Sequence, residues 1–203
     1  MNNKIFNAPN ILTIVAGLGA GLLAANLLLK EPHPEVIELG ELPQVTSRAD
    51  ALPPIKLPDL RDTERDISEW YGKPLIINFW ATWCAPCLRE MPLLQIAHET
   101  GSNFTVIGIA ADRTEDVKSN VAESGYTYPM LIGEQEALEI SDQLGFDFMG
   151  LPFTVFTDAQ GAILKIHVGE LHAEELQQYL TIMNALGDSS ISTGQARLDM
   201  QNI

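Results

Sequence analysis

The chain has 203 residues, with 12 Lys and Arg against 27 Asp and Glu, and a formal charge of −15. That length holds one domain of ordinary size plus appendages. The few basic residues are scattered, so nucleic-acid binding has no electrostatic footing, and an acidic surface speaks for solubility rather than for any one substrate.

Residues 11–29 carry no charged side chain. As a helix they would extend about 28 Å, enough to cross the hydrocarbon core of a bilayer. Lys4 precedes the run, and after Lys30 the flank is acidic at Glu31, Glu35, Glu38 and Glu41. The positive-inside rule therefore predicts residues 1–10 in the cytoplasm and the rest outside. A cleaved signal peptide is the competing reading. The run is long for one, and leucines occupy the −3 position of the candidate sites near Ala24 and Ala25. An uncleaved single-pass anchor is the expectation. Gly17 and Gly21 share a helix face with Ala25, a spacing that serves helix–helix contact or is incidental. Residues 30–54 hold five prolines, several acids and no period, and read as a linker.

A short edge strand is expected over Ile55–Leu60 and a helical turn at Asp66–Trp70, closed by Tyr71-Gly72. Leu75-Ile76-Ile77-Asn78-Phe79-Trp80 is nearly all apolar, as a central strand buried on both faces requires. Immediately after it, Trp83-Cys84-Ala85-Pro86-Cys87 holds the two cysteines of the chain. Two thiols with two residues between them can close a disulfide across the first turn of a helix. A thiolate at a helix start meets unsatisfied N–H groups and the positive end of the macrodipole. Its pKa falls, and the sulfur becomes both a nucleophile and a leaving group. Strand, turn and Cys-x-x-Cys at a helix start form the context of a redox dithiol. A zinc site would need a second ligand pair, and His33, His98, His167 and His172 show no ligand spacing. An inert structural disulfide would close too short a loop to stabilise much.

The stretch from Asn78 to Pro92, Asn-Phe-Trp-Ala-Thr-Trp-Cys-Ala-Pro-Cys-Leu-Arg-Glu-Met-Pro, resembles the active-site signature of the thioredoxin superfamily, and of its membrane-anchored TlpA/ResA branch in particular. The resemblance covers about residues 55–186. It implies that Cys84 attacks and that Cys87, more buried, resolves. It implies a kinked first helix at Pro92, a shape proline with no chemical role of its own. Thioredoxin has a buried aspartate where this chain has Asn78. Glu90, three residues after Cys87, is the candidate substitute for proton handling, because a carboxylate one turn away raises a thiol's pKa and exchanges protons with it. The alternative is a solvated helix glutamate. Met149-Gly150-Leu151-Pro152-Phe153-Thr154-Val155-Phe156 resembles the family's cis-proline loop. Leu151 would then offer its backbone to an extended substrate segment, and Pro152 would be cis rather than an ordinary trans proline at a strand start. Trp83, Pro86, Leu151 and Pro152 are the candidate substrate-contacting residues.

Further along, helices are expected at about Ala85–Thr100, Thr114–Ser124 with Thr114 as N-cap and Gly125 as stop, Glu134–Leu144 and Ala173–Leu186. Strands are expected at Phe104–Ala110, Pro129–Ile132, Phe153–Thr157 and Ile163–Val168, the last two joined as a hairpin through Asp158-Ala159-Gln160-Gly161. Residues 187–203 are polar and read as a frayed, disordered tail. This order predicts an α/β domain with a mixed, mainly parallel sheet flanked by helices. That is a thioredoxin-like fold, and residues 114–145 resemble the TlpA-type insertion.

The resemblance implies a thiol–disulfide oxidoreductase on the outer face of a bacterial inner membrane, in the periplasm, with no cofactor or metal. Its substrates would be disulfide-containing proteins of cytochrome c maturation or copper-site assembly. Its electrons would come from a membrane donor of the DsbD/CcdA type. Glu90 favours a reductant, and a disulfide-donating oxidant is the alternative. A thiol peroxidase would need a Thr before the attacking cysteine, where Trp83 stands. A copper chaperone would need one more residue between the cysteines.

Overall fold

The computed structural model describes residues 50–145 and 150–203. The expected anchor at 11–29, residues 1–10 and most of the expected linker fall outside them. No helix among the described residues is long and apolar enough to cross a membrane.

The strands are β1 (Lys56–Pro58), β2 (Glu64–Asp66), β3 (Leu75–Trp80), β4 (Thr105–Ala110), β5 (Met130–Ile132), β6 (Phe153–Thr157) and β7 (Ile163–Val168). The helices are α1 (Ala85–Thr100), α2 (Thr114–Ser124), α3 (Gln135–Gln143), α4 (Ala173–Gly187) and α5 (Thr193–Gln201), with a 3-10 turn at Ile67–Trp70. Five strands form one sheet in the order β5-β4-β3-β6-β7. β3, β4 and β5 run parallel, whereas β6 is antiparallel to β3 and β7 to β6. The sheet is thus mixed, with β5, β4, β3 and β7 pointing one way and β6 opposed to them. A tight hairpin after β6 turns the chain back into β7.

Side chains alternate across β3, and each set packs against a different layer. Ile76 and Trp80 join Met91 and Leu94 of α1, Val117 and Val121 of α2, and Tyr179 and Met183 of α4. Leu75, Ile77 and Phe79 join Ile55, Leu57 and Ile67 beneath the β1–β2 hairpin and Ala137 and Ile140 of α3. Asn78 lies between Ile76 and Trp80, so the helix side of the sheet carries a polar group in its middle. Gly108, its register partner on β4, has no room for a side chain: a Cβ there would strike Met130 Sδ and press on Trp80 and Tyr128. Gly108→Ala is expected to lower stability by about 1–3 kcal/mol, the usual cost of overpacking, seen as an earlier urea midpoint at unchanged slope.

Four features differ from expectation. The segment Ile55–Leu60 is one arm of a separate two-stranded hairpin, tied to the main sheet by a single bridge from Asp59 to Leu131. Arg113, not Thr114, holds the N-cap position of α2, and no side chain among the described residues caps that end. The segment 187–203 is not a frayed tail. Ser192 caps α5 by accepting the Gln195 N–H, and Ala196 and Met200 are buried. Lys165 of β7 donates to the Met200 carbonyl, and Arg197 donates to that of Ile163. The helix thereby covers part of the β7 edge, which would otherwise offer unpaired backbone groups. The domain also starts before residue 55, since Asp50 accepts from Ile163 N–H and Leu52 donates to Gly161.

Candidate active site

β3 ends at Trp80, and the next four residues carry the chain into α1. The turn is pinned from the neighbouring loop: Thr82 donates its backbone N–H (2.9 Å) and its hydroxyl to Asp112. Burial alone would push the Asp112 carboxyl up, but the two Thr82 bonds and the Arg113 N–H outweigh it and hold the group below its ordinary value. Asp112 therefore anchors the dithiol loop as a carboxylate. It stands two residues past the end of β4, at the carboxyl edge of the parallel strands where sites gather in such sheets. That placement was the signal for it in the sequence.

Cys84 is the N-cap of α1, and its sulfur accepts the Cys87 N–H at 3.3 Å. The two cysteines form a disulfide with Cα atoms 5.3 Å apart. Cys84 is 4% exposed and Cys87 0%, while Trp83 beside them is 68% exposed. Pro86 sits in the first turn of α1, where its missing N–H costs no helix bond. Pro92 lies inside the helix on its exposed side. A thiolate released at Cys84 would face the free N–H groups of the first turn, which favour the charged form.

Glu90 is not a solvated glutamate, for it is 0% exposed. One carboxylate oxygen accepts from Asn78 Nδ2 at 2.7 Å and the other from the Leu171 N–H at 2.6 Å. Burial pushes its pKa up to about 7, against the pull of those two donors, and the Glu170 charge adds to the rise. Asn78 also donates to Thr154 Oγ1 at 3.0 Å across the β3–β6 register. The loop after β7 that supplies the Leu171 N–H is held to α1 by a bidentate pair between Arg89 and Glu170. Thr154, Glu170 and Leu171 were not legible as site residues, because a backbone donor and a surface ion pair leave no motif.

The Leu151–Pro152 bond is cis. Phe79 pairs with Phe153, so Pro152 lies level with Trp80, where the chain leaves the sheet for the dithiol. The Pro152 carbonyl accepts from Gly169, two residues before the Glu90 donor Leu171. Pro152 is buried and Leu151 half-buried. The structure thus gathers Cys84, Cys87, Glu90 and Pro152 at one end of the sheet, with Trp83 as the exposed residue of that rim. No group of three metal-ligating side chains stands together among the described residues. A reversible dithiol over a buried acid that titrates near neutrality can exchange two electrons with a disulfide and move the accompanying protons.

The sequence profile of the Redoxin family matches residues 47–182. The chain belongs to the Redoxin family. Among its relatives, the thiol-disulfide oxidoreductase ResA of Geobacillus thermodenitrificans is 30% identical over 132 residues, which cover 63% of this chain and 73% of that protein. The thioredoxin-like protein YneN of Bacillus subtilis is 29% identical over 64% of this chain and 76% of its own length. A secreted thiol-disulfide isomerase of Corynebacterium glutamicum superposes with a TM-score of 0.60 at 26% identity, over 68% of this chain and 85% of that one. This Redoxin-family chain is a ResA-like thiol–disulfide oxidoreductase with a thioredoxin-like α/β fold.

Proposed function

We propose that this protein reduces disulfides in other proteins on the outer face of a bacterial inner membrane, held there by residues 11–29. The observation that carries the direction is Glu90, buried behind the dithiol with a pKa near 7. A carboxylate beside a thiol raises the thiol's pKa. A less stable thiolate makes the reduced pair a stronger donor, and hence the disulfide a weaker oxidant.

In the reductive half-reaction the Cys84 thiolate attacks a substrate sulfur, and the first substrate thiolate leaves. Cys87 loses its proton to Glu90 and attacks the Cys84 sulfur. The second substrate thiolate leaves, and two electrons have passed from the protein dithiol to the substrate. Trp83, Pro86, Leu151 and Pro152 would contact the substrate segment. Re-reduction falls to a membrane donor of the DsbD/CcdA type. Proteins of cytochrome c maturation or copper-site assembly are the expected substrates. The uncharged run and its acidic flank support the anchor and a periplasmic domain, and the secreted isomerase among the structural relatives supports work outside the cytoplasm.

The reduction potential tests the direction. Equilibrated against dithiothreitol, the Cys84–Cys87 pair is expected near or below the roughly −270 mV of thioredoxin. A value close to the roughly −120 mV of DsbA would make the protein a disulfide donor instead.

A further inference from the structure

Glu90 is one end of a polar row that continues across the sheet to the far side of the domain. Asn78 on β3, Thr154 on β6 and His167 on β7 are direct register neighbours. Asn78 Nδ2 donates to Glu90 and to Thr154 Oγ1, and its Oδ1 is buried without a partner among the described residues. Thr154, having accepted from Asn78, still has its own hydroxyl proton to give. Opposite it, His167 turns Nδ1 toward Glu175 Oε1 at 3.2 Å on α4, while Nε2 is buried with no partner among the described residues. The His167 ring also packs edge-on against Tyr179.

We propose that His167 is a positioning residue of the dithiol site: with Nδ1–H directed at Glu175, its Nε2 takes the Thr154 hydroxyl proton through one bridging water, which fixes the Asn78 amide with its N–H groups toward Glu90. Side chains directly opposite on paired strands stand about 5 Å apart at Cβ, a gap in which one water joins two polar groups. Buried groups of this kind are paired in native proteins, often by such a water. With that water accepting from Thr154 and donating to Nε2, which the Nδ1–H tautomer leaves as an acceptor, Thr154 gives its proton outward and offers lone pairs to Asn78. The amide spends both N–H groups, one on Thr154 and one on Glu90, and the Glu90 carboxylate is favoured.

The other charged and titratable groups facing Glu90 and His167 are accounted for. Glu170, paired with Arg89 and near His172, and Tyr128 face Glu90, while Tyr179 faces His167. Lys165, on the His167 strand, is bound to the Met200 carbonyl.

The inference rests on the dithiol reading only for its consequence, since the test reads Glu90 itself in the oxidised full-length chain, where no thiol titrates. The infrared carbonyl band of protonated Glu90, isolated by subtracting the Glu90→Gln spectrum, is followed against pH. His167→Phe is expected to raise the proton affinity of Glu90 about tenfold, the size of one hydrogen bond. In a Thr154→Val background, where the row is cut, the same change is expected to do nothing. No shift in His167→Phe, or an undiminished shift in the Thr154→Val background, overturns the proposal. Should His167→Phe not fold, nitrogen NMR of the unaltered protein decides. An Nδ1–H tautomer of His167 at pH 8 is expected, and an Nε2–H tautomer overturns it.

Discussion

Glu90→Gln is expected to fold, to lose about a hundredfold of its disulfide-exchange rate near pH 7, and to abolish a pH dependence of stability that the unaltered protein shows between about pH 4.5 and 7. In the fold the carboxyl titrates at about 7, raised from its ordinary 4.5 mainly by burial. Between those values the native state keeps a proton that the unfolded chain releases. Native stability therefore falls as pH rises through this window, by about 1.4 kcal/mol per unit and on the order of 3 kcal/mol in total. Below 4.5 both states are protonated and above 7 both are charged, so the dependence is flat outside the window. Glutamine carries no charge and removes this slope, leaving the variant more stable than its parent above pH 7. The site can accept it: the carbonyl of the new side chain keeps the Leu171 N–H, and Asn78 turns its unpartnered Oδ1 to meet the new amide. A group that accepts the Cys87 proton contributes on the scale of general base catalysis, about a hundredfold or more. Urea unfolding at pH 5 and pH 8, with stopped-flow reduction of a model disulfide, measures both effects. Parallel stability profiles for the two proteins would mean that Glu90 is ionised throughout, and an unchanged rate would remove it from the chemistry.

The dithiol and most of the strands were legible because each rests on local information. The apolar run Leu75–Trp80 is too continuous for anything but a doubly covered strand, and the Cys-x-x-Cys after it has few other uses. The hairpin through Gly161 and the stop at Gly125 are turn chemistry, and Gly125 does adopt the left-handed conformation that ends α2. The C-terminal helix was not legible. Ala196 and Met200 are its buried contacts, and its one other large apolar residue, Leu198, is exposed, so its stability comes from Lys165, Arg197 and the edge of β7 rather than from any periodicity. The reversed direction of β6 was hidden for the same kind of reason. A buried antiparallel strand such as β6 reads like a parallel one when both faces are covered.

Glu90 lies between these cases. Its spacing from Cys87 placed it one turn along the same helix, which identified it as a candidate. Burial, which makes it chemically useful, depends on Asn78 and Leu171, separated from it by 12 and 81 positions. A polar residue in the middle of a strand otherwise made of Leu, Ile, Phe and Trp was the trace of that arrangement in the sequence. Asn78 supplies a donor where a second carboxylate would add like charge to Glu90, so one acid can sit beneath the dithiol with its proton affinity near neutrality.

The two cysteines should differ more sharply in their variants than their symmetric motif suggests. Cys84 caps the helix beside the exposed Trp83, whereas Cys87 is wholly enclosed between α1 and the sheet. A protein-sized disulfide can therefore reach the Cys84 sulfur alone. Cys87→Ser is expected to attack once and stop, since no thiol remains to displace the substrate. A mixed disulfide then accumulates to one substrate per chain, visible on a non-reducing gel and by intact mass. Cys84→Ser should form no such adduct and lose at least about a thousandfold in exchange rate, because serine at the helix start is a poor nucleophile and Cys87 stays out of reach. Its cap survives, as a serine hydroxyl accepts the same backbone N–H, so the loss is chemical rather than a failure to fold. Adducts forming on Cys84→Ser as fast as on Cys87→Ser would reverse the order of attack, and would require the first turn of α1 to open before the reaction begins.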